Sequence, residues 1–203
     1  MARPMMPAPT RADLAKARTQ YKQVEPRDLF YRAATDLLGR ARGVGSVLKL
    51  GEALAVLLFT WNQAFYRYHP PGPEHITAIE HLLAAQEPAL AAAKSRTLAS
   101  LEPNDATAIE SLFLPFEQLL GPVGAAKALH LLAPNFFPIW DRRIAARYVG
   151  ELGPRGGNAS RYVAFMTNTA AQCMALHNGV AALEDVVKAL DEWNYVRITR
   201  GLA

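Results

Sequence analysis

The segment 119–145 combines a glycine-rich turn with a carboxylate, two features whose residue types and spacing could do chemistry. Gly121 and Gly124 permit a tight turn and leave the backbone uncovered, so N–H groups at the start of the following helix can face an anion. Asp141 is predicted at the N-terminus of the next helix, where the helix dipole keeps a carboxylate ionised. Such a carboxylate can stabilise a developing positive charge or deprotonate water. The alternative for Asp141 is a structural ion pair with Arg142 or with an arginine one turn further on.

Lys127 and His130 are predicted on one face of the helix that follows the turn, because residues i and i+3 are neighbours on a helix. The Lys127 amine could form an imine with a sugar carbon, or it could contact a phosphate or pack against the protein. His130 is flanked by leucines, so it is either a hydrogen-bonded core histidine or part of a binding pocket.

A second candidate site comes from the aromatic side chains of residues 57–69. Trp61 and Phe65 are four residues apart and share a helix face, and Asn62 and Tyr66 form a flanking stripe. Aromatic stripes usually pack in a core, but they can also stack on a base that has left the duplex. Asn62 favours the second interpretation, because an amide beside a buried tryptophan needs hydrogen-bond partners that a base edge could supply.

Composition excludes several classes of protein. The chain has 203 residues, is 51% hydrophobic and carries a single cysteine, so it is neither disordered nor a disulfide scaffold. Its longest apolar run is far shorter than the ~20 residues that span a bilayer. Cys173 and His177 are four residues apart, but two ligands do not make a zinc site, so we expect no metal and no cofactor.

The net charge of +4 only permits a nucleic-acid partner, but its distribution is uneven. Residues 121–161 contain the basic Lys127, Arg142, Arg143, Arg147, Arg155 and Arg161 against the acidic Asp141 and Glu151. This segment is therefore where we expect a polyanion to bind.

The elements that must position these residues are all helices, since apolar residues recur at helical spacing and Ala and Leu dominate. The spacing and the Pro and Gly positions predict an irregular all-α bundle with ten helices, at 11–23, 27–42, 46–68, 74–85, 87–99, 105–119, 123–133, 138–150, 159–177 and 183–196. Residues 1–10 are predicted to be a disordered tail, and residues 11–203 a single domain.

The N-terminal twenty residues are basic, with one acidic residue, as transit peptides are. A proline-rich tail that leads into a surface helix is the interpretation we favour. No apolar core of a secretory signal follows, so we expect a cytoplasmic protein.

The segment 119–145 resembles the helix–hairpin–helix DNA glycosylase superfamily, in which a Leu-Pro-Gly-Val-Gly hairpin precedes a catalytic aspartate. Val123 and Gly124 match the hairpin, although its proline and glycine are transposed here, and Asp141 matches the aspartate. The segment is most similar to outlying branches of the superfamily, on a pattern that includes Lys127, Leu129, His130, Pro134, Phe137, Pro138 and Asp141.

The resemblance implies two lobes around a cleft and a monomer that binds double-stranded DNA, extrudes a modified or damaged base and hydrolyses its N-glycosidic bond. Lys127 lies one position after the lysine that forms a Schiff base in bifunctional members, so a monofunctional enzyme is expected. The implied catalytic residues are Asp141 and Lys127. The implied base pocket contains Trp61, Asn62, Phe65, Tyr66, His130 and Trp140. The implied contacts to the DNA backbone come from Gly121, Val123, Gly124, Ala125, Arg142, Arg143 and Arg155. The biological role would be repair or defence against phage with modified DNA.

Two other functions fit the same residues. A non-catalytic helix–hairpin–helix module would bind DNA with a steep salt dependence and leave it intact. A helical protein-interaction domain would use the glycines only as a tight turn and would not bind DNA.

Overall fold

The computed structural model describes residues 5–26, 28–43, 45–177 and 185–202, and this part of the chain is helical without strands, which confirms the predicted all-α class. The helices are α1 Arg11–Val24, α2 Asp28–Ala41, α3 Leu50–Trp61, α4 Gln63–Tyr66, α5 Pro73–Ala85, α6 Glu87–Lys94, α7 Ala106–Leu132, α8 Arg142–Tyr148, α9 Ala159–His177 and α10 Val186–Asn194. Two 3₁₀ turns, Leu98–Ser100 and Pro103–Asp105, precede α7, and a π-helix, Tyr195–Thr199, follows α10. None of the described helices is long and apolar enough to cross a membrane.

Helix α7 lies at the centre of the fold and packs against α3, α5 and α9. Its buried Phe113 stacks on Tyr162 of α9 with ring centroids 4.3 Å apart, and Trp140 meets both rings edge-on. Helix α1 packs against α10, so the two ends of the domain lie side by side. This arrangement brings residues from both chain ends next to the segment 119–145.

The break in α7 is shorter than the predicted turn between two helices. Gly121 alone leaves the helical conformation, with φ 71° and ψ 167°, and helix continues on both sides of it. Pro122 explains the break, because proline disfavours the α conformation of the residue before it and lacks an N–H for the helix. A positive φ is a conformation that glycine adopts without the steric cost that a side chain brings.

The predicted helix 46–68 is interrupted at Asn62, which has φ −114° and ψ 32° and separates α3 from α4. The Asn62 side chain donates a hydrogen bond to the carbonyl of Leu120 (3.1 Å). Asparagine favours helix ends over helix interiors because its amide competes for backbone groups. The predicted helix 138–150 starts later, at Arg142, with Asp141 as its N-cap.

Part of the predicted N-terminal tail packs on the domain. Gln172 Nε2 in α9 donates to the carbonyl of Pro7 (3.1 Å), and Met6 packs against the core. Thr10 caps α1 through a reciprocal pair of hydrogen bonds with Asp13. Residues 1–4 lie outside the described residues, as do residues 183 and 184 of the predicted last helix.

Candidate functional site

A cleft of about 750 Å³ lies between three parts of the fold: the C-terminal end of α3, the break in α7 at Gly121, and the N-terminal end of α8. Most of the residues predicted for the site line this cleft: Trp61, Asn62, Phe65, Gly121, Val123, Lys127, Asp141, Arg142, Arg143 and Arg155. Five predicted residues do not line it: Tyr66, Gly124, Ala125, His130 and Trp140.

Asp141 is held at the cleft by one hydrogen bond to each carboxylate oxygen. As the N-cap of α8, its Oδ1 accepts from the backbone N–H of Ile144 (2.8 Å), and its Oδ2 accepts from the Thr199 hydroxyl (2.5 Å). A carboxylate has about four acceptor positions, so both oxygens can still accept another donor. The side chain is therefore fixed in orientation and keeps capacity for a water molecule or a ligand.

Lys127 is buried, and its amine donates to the carbonyl of Trp61, the last residue of α3. A cation is favourable there because the last carbonyls of a helix carry partial negative charge. The amine also lies 5.8 Å from the centroid of the Trp61 ring. Lys127 thus fixes the end of α3 at the edge of the cleft.

The two glycines of the turn are required by packing against the break between α3 and α4. A Cβ on Gly124 would lie 2.5 Å from Asn62 Nδ2, and one on Gly121 would lie 3.0 Å from the Phe65 ring. Gly124 and Ala125 are buried, so their backbone does not reach the surface of the turn. Of the four turn residues predicted to contact DNA, only Val123, which is half-buried, and Gly121, which is buried, line the cleft.

His130 lies behind the cleft as a core histidine. Its Nδ1–H donates to the carbonyl of Phe137 (2.8 Å), so Nε2 must accept from the Tyr31 hydroxyl (3.0 Å). Complete burial lowers the pKa of His130 to about 3, so the ring is neutral at physiological pH. Tyr31 in turn stacks on Trp61 with centroids 5.6 Å apart. His130 therefore supports the cleft wall without reaching a ligand.

Trp140 and Tyr66 also support the site from outside. The Trp140 indole donates to the carbonyl of Pro122 (3.0 Å), which fixes the turn from the core side. The Tyr66 hydroxyl is 3.0 Å from His75 Nε2, and its ring meets Phe65 edge-on with centroids 5.1 Å apart. The sequence pattern could not separate these supporting aromatics from those that line the cleft.

Arg155 closes one edge of the cleft. Its guanidinium lies 5.3 Å from the centroid of Phe65 and 2.7 Å from Nε2 of His69, whose ring stacks on Phe65. The loop that carries Arg155 is anchored by the buried Asn158, which donates to Glu117 from its amide nitrogen (2.5 Å). Arg155 is therefore presented from a fixed loop.

Sequence reasoning missed the residues that the chain ends contribute to the cleft, here called the terminal set: Tyr21, Glu25, Asp191, Tyr195 and Thr199. The Tyr195 hydroxyl donates to Glu25, and Thr199 holds Asp141. The π-helix Tyr195–Thr199 carries two members of the set, and π-helical segments occur frequently at functional sites. The only sequence signal was the spacing of Lys188, Asp191 and Glu192 on α10, which is equally typical of an exposed helix face.

The charged groups that line the cleft differ between its opening and its interior. Arg142, Arg143 and Arg155 are exposed, whereas the acidic Glu25 and Asp191 and the basic Lys127 are buried. In the part of the chain that the structure describes, no three His, Cys, Asp or Glu side chains are grouped so that they could hold a metal ion. The opening therefore attracts anions, and the interior offers carboxylate oxygens.

No family model matches the chain, and no curated protein or solved structure is significantly similar to it.

Proposed function

We propose that this protein is a DNA glycosylase-like enzyme of helix–hairpin–helix type that extrudes a modified or damaged base and hydrolyses its N-glycosidic bond. The observation that carries the proposal is the convergence of Asp141, Lys127, Asn62 and Trp61 on one cleft. Its volume of about 750 Å³ lies in the range of about 300–1,000 Å³ usual for small-molecule sites.

Duplex DNA would bind at the opening of the cleft. Arg142, Arg143 and Arg155 are exposed there and can neutralise phosphates, which supplies affinity without sequence preference. The break at Gly121, with Pro122 and Val123 at the surface, would be the hairpin that meets the DNA backbone. An extruded base would then enter beside Trp61 and Phe65, whose rings can stack on it.

Asp141 would act on the deoxyribose. When the bond between C1′ and the base nitrogen breaks, its electron pair leaves with the base and positive charge develops on the sugar. The Asp141 carboxylate stabilises this charge, and it accepts the proton of the water that adds to C1′. The departed base takes up a proton from solvent, the Asp141 carboxyl group returns its proton to solvent, and the product is an abasic site.

Lys127 supports a monofunctional reaction. Its amine is bound to the Trp61 carbonyl, so it holds the pocket in place instead of forming an imine with the sugar. We place the enzyme in the cytoplasm as a monomer, in DNA repair or in defence against phage with modified genomes.

The proposal is tested with Asp141→Asn. Asparagine is also a good N-cap, because its oxygen can accept from the Ile144 N–H while its amide nitrogen donates to the Thr199 hydroxyl oxygen, so the fold should be retained. Wild type and variant are incubated with oligonucleotides that carry damaged bases and with phage DNA that carries modified cytosines or thymines, and abasic sites are measured. We expect the variant to be at least 100-fold slower. The matched control is Asp36→Asn, which removes an exposed carboxylate outside the cleft.

Full activity of Asp141→Asn would show that Asp141 is not catalytic. Salt-dependent DNA binding without any abasic product would favour the non-catalytic module instead. Absence of DNA binding at low salt would favour the protein-interaction domain.

A further inference from the structure

Asp191 is a buried carboxylate that belongs to the cleft but has no role in the reaction proposed above. It is 7% exposed, lies on α10 and lines the same cleft as Trp61 and Lys127. Its position depends on the packing of α10 against α1, which carries Tyr21 and ends next to Glu25.

One oxygen of Asp191 is fixed by Lys188. The Lys188 amine donates to Asp191 Oδ2 (3.1 Å) and lies 3.8 Å from Glu192 Oε1. It also lies 4.5 Å from the centroid of Tyr21 and 4.7 Å from that of Tyr31. Glu192 is paired with Arg18 at 2.8 Å, so this network contains two cations and two anions.

The other oxygen of Asp191, Oδ1, has no hydrogen-bond donor among the described residues. The Asp191 side chain is buried to 7% exposure, and it lines the cleft. Since Asp191 lines the cleft, Oδ1 is an acceptor available to whatever occupies the cleft. The side-chain oxygen of the buried Asn62 is a second acceptor in the cleft. The Asn62 amide nitrogen donates to the Leu120 carbonyl, whereas the oxygen accepts no hydrogen bond from the described residues.

We propose that Asp191 Oδ1 accepts a hydrogen bond from an exocyclic amino group of the extruded base, so that the substrate is an amino-bearing base of the adenine, guanine or cytosine type. This inference rests on the proposed function, which brings a base into the cleft. An oxo group at the same position would place two acceptor oxygens against each other inside the protein, with neither supplied with a proton.

A pair of substrates that differ in one exocyclic group tests the inference without changing the protein fold. One pair of duplexes carries adenine (amino) or hypoxanthine (oxo), and a second pair carries cytosine (amino) or uracil (oxo). Each base is placed opposite a tetrahydrofuran abasic analogue, so that none of them is base-paired. Binding is measured by fluorescence anisotropy with the Asp141→Asn variant, which should bind DNA without cleaving it. We expect the amino member of a pair to bind about 5- to 150-fold more tightly, as one well-formed base contact provides.

Asp191→Asn should reduce or reverse that preference. Lys188 can donate only to the amide oxygen, so the amide nitrogen would face the cleft and offer a donor to an oxo group. We expect the ratio of the two affinities to fall at least tenfold. Glu192→Gln is the matched control, because it removes a carboxylate from the same network without lining the cleft, and it should leave the ratio unchanged.

The Asp141→Asn protein could bind the amino and oxo duplexes of a pair equally, or bind the oxo duplex more tightly. Either result would overturn the role of Asp191 while leaving the proposed function in place. An unchanged ratio in Asp191→Asn would do the same. Absence of binding to any duplex would overturn both proposals together. If Asp191→Asn does not fold, the comparison of substrates with the Asp141→Asn protein still decides.

Discussion

The cleft is formed by two groups of residues that differ in how the chain brings them together. The segment 119–145 contributes Gly121, Lys127 and Asp141, which are close in sequence and are positioned by one broken helix and the next N-cap. The terminal set comes from α1 at one end of the chain and from α10 and the π-helix at the other. The two groups meet where Thr199 donates to Asp141.

Local geometry and long-range packing contribute different chemistry to the cleft. The segment 119–145 has a turn that the sequence specifies directly, because a proline follows a glycine. The terminal set contains the buried carboxylates of Glu25 and Asp191, which reach the cleft only through tertiary packing. A buried charge needs a hydrogen-bonded or oppositely charged partner in the folded protein. Changes beside the two groups should therefore differ in how much stability they cost.

The largest expected effect is on stability, from Lys188→Met beside the terminal set. The substitution leaves the buried Asp191 and Glu192 without their shared cation, and breaking a buried pair in this way typically costs about 3–5 kcal/mol. Urea unfolding should show this loss. The control Lys94→Met removes an exposed lysine from the last turn of α6 and should change stability by less than about 0.5 kcal/mol. A cost below 1 kcal/mol for Lys188→Met would mean that the network is solvated.

The next effect concerns the pH dependence of stability and arises from His130, which accepts a hydrogen bond from Tyr31 behind the cleft wall. Its folded-state pKa of about 3 lies below the ordinary 6.5, so the unfolded chain binds the proton first. The stability that His130 contributes is complete above pH 6.5 and is lost as the pH falls toward 3. Between pH 6 and 4 the slope is about 1.4 kcal/mol per pH unit from this group.

His130→Gln should flatten the pH dependence of unfolding by about that slope, although the variant is less stable at pH 7 because two buried hydrogen bonds change. Urea unfolding of both proteins at several pH values between 4 and 7 measures the difference. Parallel curves for the two proteins would contradict the assignment of His130 as a buried neutral histidine.

An intermediate effect is expected in the turn from Gly124→Ala. The new Cβ would meet Asn62 Nδ2 at 2.5 Å, and overpacking of this kind costs about 1–3 kcal/mol. Adding Asn62→Ala should recover part of the loss, which a double-mutant cycle measures. Gly39→Ala is the control, because the space around Gly39 in α2 is open and the substitution should stabilise the protein slightly. Equal effects at the two glycines would show that Gly124 is not constrained by Asn62.

Features that depend on residues close in sequence could be predicted, whereas features that depend on distant contacts could not. The helices, the special conformation at the turn and the N-cap role of Asp141 follow from proline, glycine and capping preferences, which act within a few residues. The break at Asn62 was missed because its cause is the carbonyl of Leu120, which is far away in sequence.

Asp191 could not be predicted for a different reason. On α10, Lys188, Asp191 and Glu192 have the spacing of ion pairs on an exposed helix face, and only the packing of α10 against α1 buries them. Likewise, nothing in the pattern of Trp61, Phe65 and Tyr66 distinguishes the two rings that line the cleft from the one that supports them. Such distinctions depend on which neighbours each helix meets.

The smallest effect on stability is expected at the opening of the cleft, where Arg142→Ala should change the free energy of unfolding by less than about 0.5 kcal/mol. If Arg142 contacts a phosphate, the variant should bind duplex DNA more weakly, and the slope of log K against log salt should decrease by about one. Arg147→Ala is the matched control, because Arg147 is exposed on the same helix but does not line the cleft. Equal losses in both variants would mean that DNA follows the general charge of α8, and the cleft opening would then have no special part in binding.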